Sequence, residues 1–263
     1  MKHTMLNIEN LCVSARGNPD SFLVNNVSLS LKENSVFNLV GETGSGKSVL
    51  AWAVAGMLSK DLRASGQITA GGLVTDQPGN GRIQASTFLI PQEPGIALNP
   101  TMKVKSQVAE IFRWPRRVPK QKSLTIAAGI LGKLGLSISA ANSYPHQLSG
   151  GMNQRCAIAM ALASPAPLII VDEPTKGLDA HLKKQAVDLL KGLVKKGKSL
   201  LCITHDFSVA GMLEGRTGVM LKGKIIEQGH TEQILNNPHH VYTRDLINAL
   251  PENGLQIPAE INV

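Results

Sequence analysis

The stretch "LVGETGSGKSVLAWAVAG", which begins at Leu39, constrains the fold more than any other part of the chain. It enters as an apolar strand, crosses glycines and one lysine, and leaves as an apolar helix. Glycines between two buried elements cost conformational entropy, so the spacing G-x-x-x-x-G-K-S needs a physical reason. Gly41, Gly44 and Gly46, with Glu42, Thr43 and Ser45 between them, let the loop curl until its N–H groups point inward at a helix N-terminus. That arrangement cradles an anion. Lys47 then reaches the β- and γ-phosphates of a nucleotide, and the Ser48 hydroxyl ligates Mg²⁺. The competing explanation is a plain glycine-rich turn.

A phosphate loop needs a second carboxylate to hold the metal through water. "LIIVDEP" supplies one: four apolar residues lead to Asp172 at a strand end, where ligands gather in open α/β sheets. Glu173 follows and is placed to polarise an attacking water, a role typically worth ~10²–10⁴-fold in rate. Between these motifs "LSGGMNQR" opens an apolar helix. Ser149, Gly150 and Gly151 offer a hydroxyl and unhindered N–H groups there, a second phosphate-binding device in one chain. One γ-phosphate has little use for two cradles from one molecule, so two molecules are expected to share each nucleotide.

Along the chain, residues 5–36 read as β, with turn-forming Gly17, Asn18, Pro19 and Asp20 between two strands. "GQITAGG" and "RIQASTFLI" suggest a further β segment split by "TDQPGNG". From about Met102 to Tyr144 the pattern turns helical and more basic. "PLIIVDEP" and "SLLCITHD" then read as buried parallel strands, separated by a helix over roughly residues 180–196. "GVMLKGKIIEQG" reads as a hairpin turning at Lys222 and Gly223, and Asn237 with Pro238 as a helix start. No internal repeat or heptad pattern stands out. The sum is an α/β fold: a phosphate-loop core with a mostly parallel sheet, an N-terminal antiparallel β subdomain and an inserted helical subdomain.

The chain has 263 residues, enough to bury a sizeable core. Aromatic residues make up only 3%, too few for extensive base stacking. Cys12, Cys156 and Cys202 are scattered through apolar patterns and read as core residues in a reducing compartment, not as a disulfide framework. "MKHTMLNIEN" has no apolar h-region, so no signal peptide is expected. The longest apolar run, "CAIAMALA", is far short of the ~18–20 residues a membrane span needs. A net charge of +8 points to acidic partners without choosing among nucleotide, nucleic acid and membrane surface.

In this order, the phosphate loop, "LSGG" and "DEP", with Gln92 between and His205 after, resemble the ATP-binding subunit of an ABC transporter. The resemblance spans nearly the whole chain and implies an ATPase that uses ATP and Mg²⁺. By that resemblance Gln92 touches Mg²⁺ or water and couples the site to a membrane partner. Ser149 to Gly151 close on ATP held by the opposite subunit, His205 contacts the γ-phosphate, and Asp179 in "KGLD" faces the partner across the dimer interface. Ser48, Gln92 and Asp172 are the implied metal set, and Glu173, His205 and Gln92 the implied catalytic set. The implied organisation is one domain over residues 1–263. It comprises a core with β subdomain (about 1–100 and 156–235), a helical subdomain (about 101–155) and a C-terminal helix and tail (236–263).

"QEPGIALNP" and "NPHHVYTRDLINALP" further resemble the peptide and nickel importer branch. That likeness implies a second, paralogous ATPase subunit, two transmembrane permease subunits, an extracytoplasmic solute-binding protein acting indirectly, and a peripheral place on the cytoplasmic face of the inner membrane. The sequence has no cysteine after Cys202, which favours short branch members without a C-terminal cysteine cluster, among them nickel and metal-chelate importers. Three departures stand out. Met152 replaces the usual glutamine after "LSGG", Lys176 replaces the serine of "SALD", and the adenine-stacking aromatic is missing near Ala15, leaving Phe22 as the candidate. The basic run from Arg113 to Lys122 reads as a solvated loop, with lipid headgroups or an acidic partner loop as the alternative contact, and His239 and His240 as part of a helix cap rather than metal ligands. An accessory ATPase of a soluble assembly, such as a phosphonate lyase system, is the alternative. A nucleic-acid factor is supported only by charge, so no nucleic-acid partner is expected.

Overall fold

The computed structural model describes residues 3–76, 78 and 83–250. Two sheets carry the fold. The antiparallel sheet contains β1 (Thr4–Ala15), β2 (Asn18–Lys32), β4 (Leu62–Ala70) and β5 (Leu73–Thr75) in the order β2-β1-β4-β5. The other sheet contains β3 (Val36–Val40), β6 (Thr87–Ile90), β7 (Leu168–Asp172), β8 (Ser199–Thr204), β9 (Arg216–Leu221) and β10 (Lys224–His230). Its order is β10-β9-β3-β8-β7-β6, parallel throughout except for β10 at the edge. Every residue of β3, β7 and β8 is buried, as the unbroken apolar runs require of strands covered on both faces.

Alternate residues of these strands feed different cores. Phe37, Leu39, Leu168 and Ile170 pack with β1 and with Leu50, Ala51 and Val54 of α1 (Lys47–Ala55), which is thereby clamped between the sheets. Ile169, Val171 and Cys202 face the opposite way. They meet α3 (Val104–Arg116), α4 (Lys120–Lys133), α6 (Gly150–Ala163) and α7 (Ala180–Lys195). The short helices α2 (Pro94–Ala97) and α5 (Ile138–Ala141) complete the inserted helical region. Beyond β8 come α8 (Phe207–Leu213), the β9–β10 hairpin, α9 (Thr231–Asn236) and α10 (Val241–Asn248). α6 runs without a break across residue 155.

The hairpin turn at Lys222 and Gly223 is as expected, with both residues at positive φ (45° and 81°), the twist that tight hairpins favour. Other local expectations are corrected. Asn18, Pro19 and Asp20 belong to β2, and the turn is confined to Arg16 and Gly17. β2 is an edge strand, where the missing proline N–H needs no partner. β4 and β6 do not form one β segment: β4 joins the antiparallel sheet, and β6 pairs with β7 in the other. Gln84–Ser86 between them is a 3-10 turn, and most of "TDQPGNG" lies outside the described residues. Asn237 ends α9 instead of starting a helix, and α10 is capped by His240, whose Nδ1 accepts from the Tyr242 N–H at 3.1 Å.

Candidate functional site

Four motifs far apart in sequence leave the same edge of the parallel sheet. The phosphate loop follows β3, His205 follows β8, Asp172 ends β7 and Gln92 follows β6. These strands are successive neighbours, with Val40 beside Thr204 and Asp172 beside Ile203. At a strand spacing near 4.8 Å the row spans roughly 14 Å, the scale of a triphosphate and its attacking water. Leu23, Gly44, Lys47, Gln92, Glu173 and His205 line the resulting cleft of about 280 Å³.

Close approach answers the question raised by the glycines. A Cβ on Gly41 would lie 2.2 Å from the Met220 carbonyl oxygen, and one on Gly46 would lie 2.2 Å from that of Leu23. Gly46 also sits at φ 104° as the N-cap of α1 with no side-chain cap, leaving the helix N–H groups to a ligand. Lys47 is buried, and its Nζ donates to the carbonyls of Gly41 (2.7 Å) and Glu42 (2.6 Å) and to Ser45 Oγ (3.2 Å). Burial lowers the pKa of this ammonium, while Glu173, Asp172 and Glu42 pull it back up. Thr43 and Gly44 are exposed at the tip of the loop.

Asp172 is 4% exposed, and its Oδ1 has no partner among the described residues. Burial raises its pKa; a side-chain hydrogen bond with Ser48 works against that, Glu173 adds to it, and Lys47 and Lys176 oppose it. A buried carboxylate with a spare oxygen beside the Ser48 hydroxyl is a donor set suited to a hard cation such as Mg²⁺. Glu173 sits at φ +50°, a strained backbone position for a non-glycine residue. Its N–H is held by the Ile203 carbonyl at 2.8 Å. Its carboxylate accepts from Thr204 Oγ1 at 3.3 Å and meets His205 Nδ1 at 2.9 Å.

The signature segment does not line this cleft. Ser149 caps α6, its Oγ accepting from the Met152 N–H at 3.3 Å, and both Ser149 and Gly150 are exposed. Among the described residues, nothing lies within 4 Å of where a Cβ would stand on Gly150 or Gly151. These glycines, with Gln92, Glu173, Lys176 and Leu178, edge a neighbouring cleft of about 420 Å³. Asp179 caps α7 through a 2.9 Å bond from the Leu182 N–H. Met152 packs against the helical core.

Two contacts escaped sequence reading. Leu23 of β2 lines the phosphate cleft beside Gly46, and its neighbour Phe22, the candidate for stacking on adenine, is 44% exposed. Asn38, fully buried in β3, donates from Nδ2 to the Glu214 carbonyl at 2.9 Å and ties the sheet to the end of α8. Its polar side chain in an apolar strand was the available signal.

The family model described as "ABC transporter" matches residues 24–176, and "Oligopeptide/dipeptide transporter, C-terminal region" matches residues 226–260. The dipeptide transport ATP-binding protein DppD of Escherichia coli strain K12 is 34% identical, over 94% of this chain and 79% of that one. The glutathione import ATP-binding protein GsiA of Salmonella choleraesuis is 36% identical over 88% of this chain, which spans 39% of that longer protein. Among solved structures, the dimeric ATP-binding cassette MJ0796 in a post-hydrolysis state with ADP and Pi superposes with a TM-score of 0.74. It is 26% identical, and the match covers 86% of this chain and 99% of that one.

Proposed function

Because this chain belongs to the ABC transporter family, whose ATP-binding cassettes power transport by hydrolysing ATP, we propose that it energises the import of small peptides through transmembrane permease subunits. The observation that carries the reading is the row of motifs along β3, β8, β7 and β6. In it Lys47 and the loop N–H groups bind the β- and γ-phosphates. Ser48 and Asp172, with Gln92, would hold Mg²⁺, which when bound neutralises charge on the phosphate oxygens. Glu173 takes the proton of the attacking water, and His205 orients that carboxylate.

The exposed N-terminus of α6 supports a shared site, in which Ser149, Gly150 and Gly151 of one subunit close on ATP held by another. Asp179, next in sequence to Leu178 of the cleft that these glycines edge, is proposed to face that partner. A dimeric relative bound to ADP and Pi is consistent with it. The second subunit is expected to be a paralogue.

An apolar groove of about 570 Å³ supports a membrane-embedded partner. Trp52, Met57 and Ile96 are 40%, 58% and 77% exposed at its rim, and Pro91, next to Gln92, lines it. Apolar side chains this exposed around one depression favour a partner segment, and the occupant proposed is a short permease helix. Among the described residues no helix is long and apolar enough to cross a membrane, so the subunit is proposed to sit peripherally on those permeases. The peptide cargo rests on the match of residues 226–260 and on the relatives' named substrates. Nickel or metal-chelate cargo and the soluble-assembly alternative have no support among these relatives.

Calorimetry on Lys47→Ala tests the site: a folded variant is expected to show no detectable ATP binding, because the main fixed counter-charge is gone. Near-normal affinity would overturn it. Affinity capture from solubilised membranes tests the assembly, with polytopic permeases expected and soluble enzyme subunits the contrary result.

A further inference from the structure

Helix α10 packs beside the start of the phosphate loop. Tyr242, Leu246 and Ile247 of α10 pack in an apolar cluster with Val40, the last residue before Gly41, and with Phe207, two residues beyond His205. One helix thus backs both the start of the phosphate loop and the turn that carries the histidine. Its approach is fixed. The Glu227 carboxylate on β10 accepts from the main-chain N–H groups of His239 (2.7 Å) and His240 (3.2 Å), and His240 Nδ1 caps the first turn at Tyr242.

The Tyr242 hydroxyl is buried, and among the described residues no group completes a hydrogen bond of good geometry to it. Glu42 of the phosphate loop acts on this phenol through both its main-chain N–H and its carboxylate. Burial, and then the charge of Glu42, push the phenol up to about 12, so it remains a donor at neutral pH. On the other side Lys47 Nζ donates to the Glu42 carbonyl at 2.6 Å. Glu42 is therefore contacted by the lysine that binds phosphate and by the C-terminal helix. When Lys47 turns to phosphate oxygens, Glu42 loses that donor. A buried hydroxyl whose hydrogen bonds are poorly formed is costly, so loop conformations that bring Glu42 closer onto Tyr242 are favoured.

We propose that Tyr242 is a positioning residue for the phosphate loop: its hydroxyl holds Glu42 in the conformation that accepts nucleotide, and so couples α10 to the ATP site. The inference rests on reading that loop as the ATP site. Tyr242→Phe keeps the ring in its apolar cluster and removes only the hydroxyl. In the full chain with its partners, the ATP KM and Kd are expected to rise ~5–10-fold, the size of one hydrogen bond, with kcat within about twofold. A purely structural role would leave KM unmoved, because phenylalanine fills the same space. Adding Glu42→Ala to Tyr242→Phe should cost less than the two single effects combined, since both remove the same contact. Wild-type KM in a folded Tyr242→Phe protein, or full additivity with Glu42→Ala, overturns the proposal. Lys47→Ala separates the two failures. If it abolishes ATP binding while Tyr242→Phe changes nothing, only the role of Tyr242 falls; if it binds ATP normally, the site reading falls first.

Discussion

His205 Nδ1 lies 2.9 Å from both carboxylate oxygens of Glu173. A carboxylate can only accept, so Nδ1 carries the hydrogen and a neutral ring presents a bare Nε2. Such a ring cannot donate to a phosphate oxygen. To contact a γ-phosphate as a donor, His205 must take a second proton or release Glu173. Either change alters the group proposed as the base, which links nucleotide arrival to the readiness of the carboxylate.

Glu173→Gln keeps volume and the capacity to accept from His205 but removes the base. Turnover at this site should fall by ~10²–10⁴-fold, about 3–5 kcal/mol in barrier, while ATP still binds. Binding without hydrolysis should trap a closed dimer, seen as an ATP-dependent shift in size-exclusion chromatography. A partner subunit with its own base dilutes the loss, so the measurement must resolve each site. Hydrolysis at near wild-type rate at this site would show that the base lies elsewhere.

Ser149→Arg places a bulky cation where the α6 N-terminus is exposed. The isolated subunit should bind ATP with nearly unchanged affinity, whereas hydrolysis in the assembled transporter should stop. Loss of the Ser149 cap costs about 1 kcal/mol, so circular dichroism must first show a folded variant. If the isolated subunit lost its nucleotide, the segment would act within its own chain and the shared site would be wrong.

Asp172 carries a stability cost that its proposed metal offsets. Burial holds its folded pKa above the ordinary value, with Glu173 adding to the shift and Ser48, Lys47 and Lys176 opposing it. For a raised acid, stability falls as pH climbs through the unfolded value towards the folded one, so the charge destabilises at pH 7. Asp172→Asn should therefore raise the Tm of the nucleotide-free chain by roughly 2–4 °C, about 1 kcal/mol. The variant should also lose most of the stabilisation that Mg-ATP gives the wild type. Differential scanning fluorimetry reads both, and a lower Tm without nucleotide would contradict the assignment.

Asp206 shows the opposite sign. Burial pushes its carboxyl up, but hydrogen bonds from Lys183 and Ser208 outweigh it and leave the folded pKa below the ordinary value. Lys183 Nζ lies 2.5 Å from Oδ2, anchoring the turn after His205 to α7. A depressed acid contributes stability that is present above the unfolded pKa near 3.9 and is lost as pH falls through the folded value. Asp206→Asn should cost ~1–2 kcal/mol in urea denaturation at pH 7, with the difference shrinking below about pH 4. An equal difference at both pH values would exclude the ion pair as its source.

Much of the site was legible because its signals are local. Gly46 at φ 104°, the apolar runs of β3 and β7, and a carboxylate at a strand end each state a backbone or burial requirement within a few residues. The same local reading misplaced the turn at Asn18 to Asp20, because a proline in an edge strand looks like a proline in a turn until the edge is known. It also joined two β segments that belong to different sheets, since periodicity names a strand but not its neighbour.

Residue types and their spacing name the side chains that could bind phosphate, carry a metal or take a proton. Which of them meet follows from how the strands are ordered. The order β3-β8-β7-β6 brings Lys47, His205, Glu173 and Gln92 to one cleft, and the fold adds Leu23 from the antiparallel sheet. It also sets α10, from the far end of the chain, beside the start of the phosphate loop. Dihedral preference and hydrophobic pattern act over a few residues, whereas strand order is chosen by the burial of every apolar face at once, a condition that no single segment encodes.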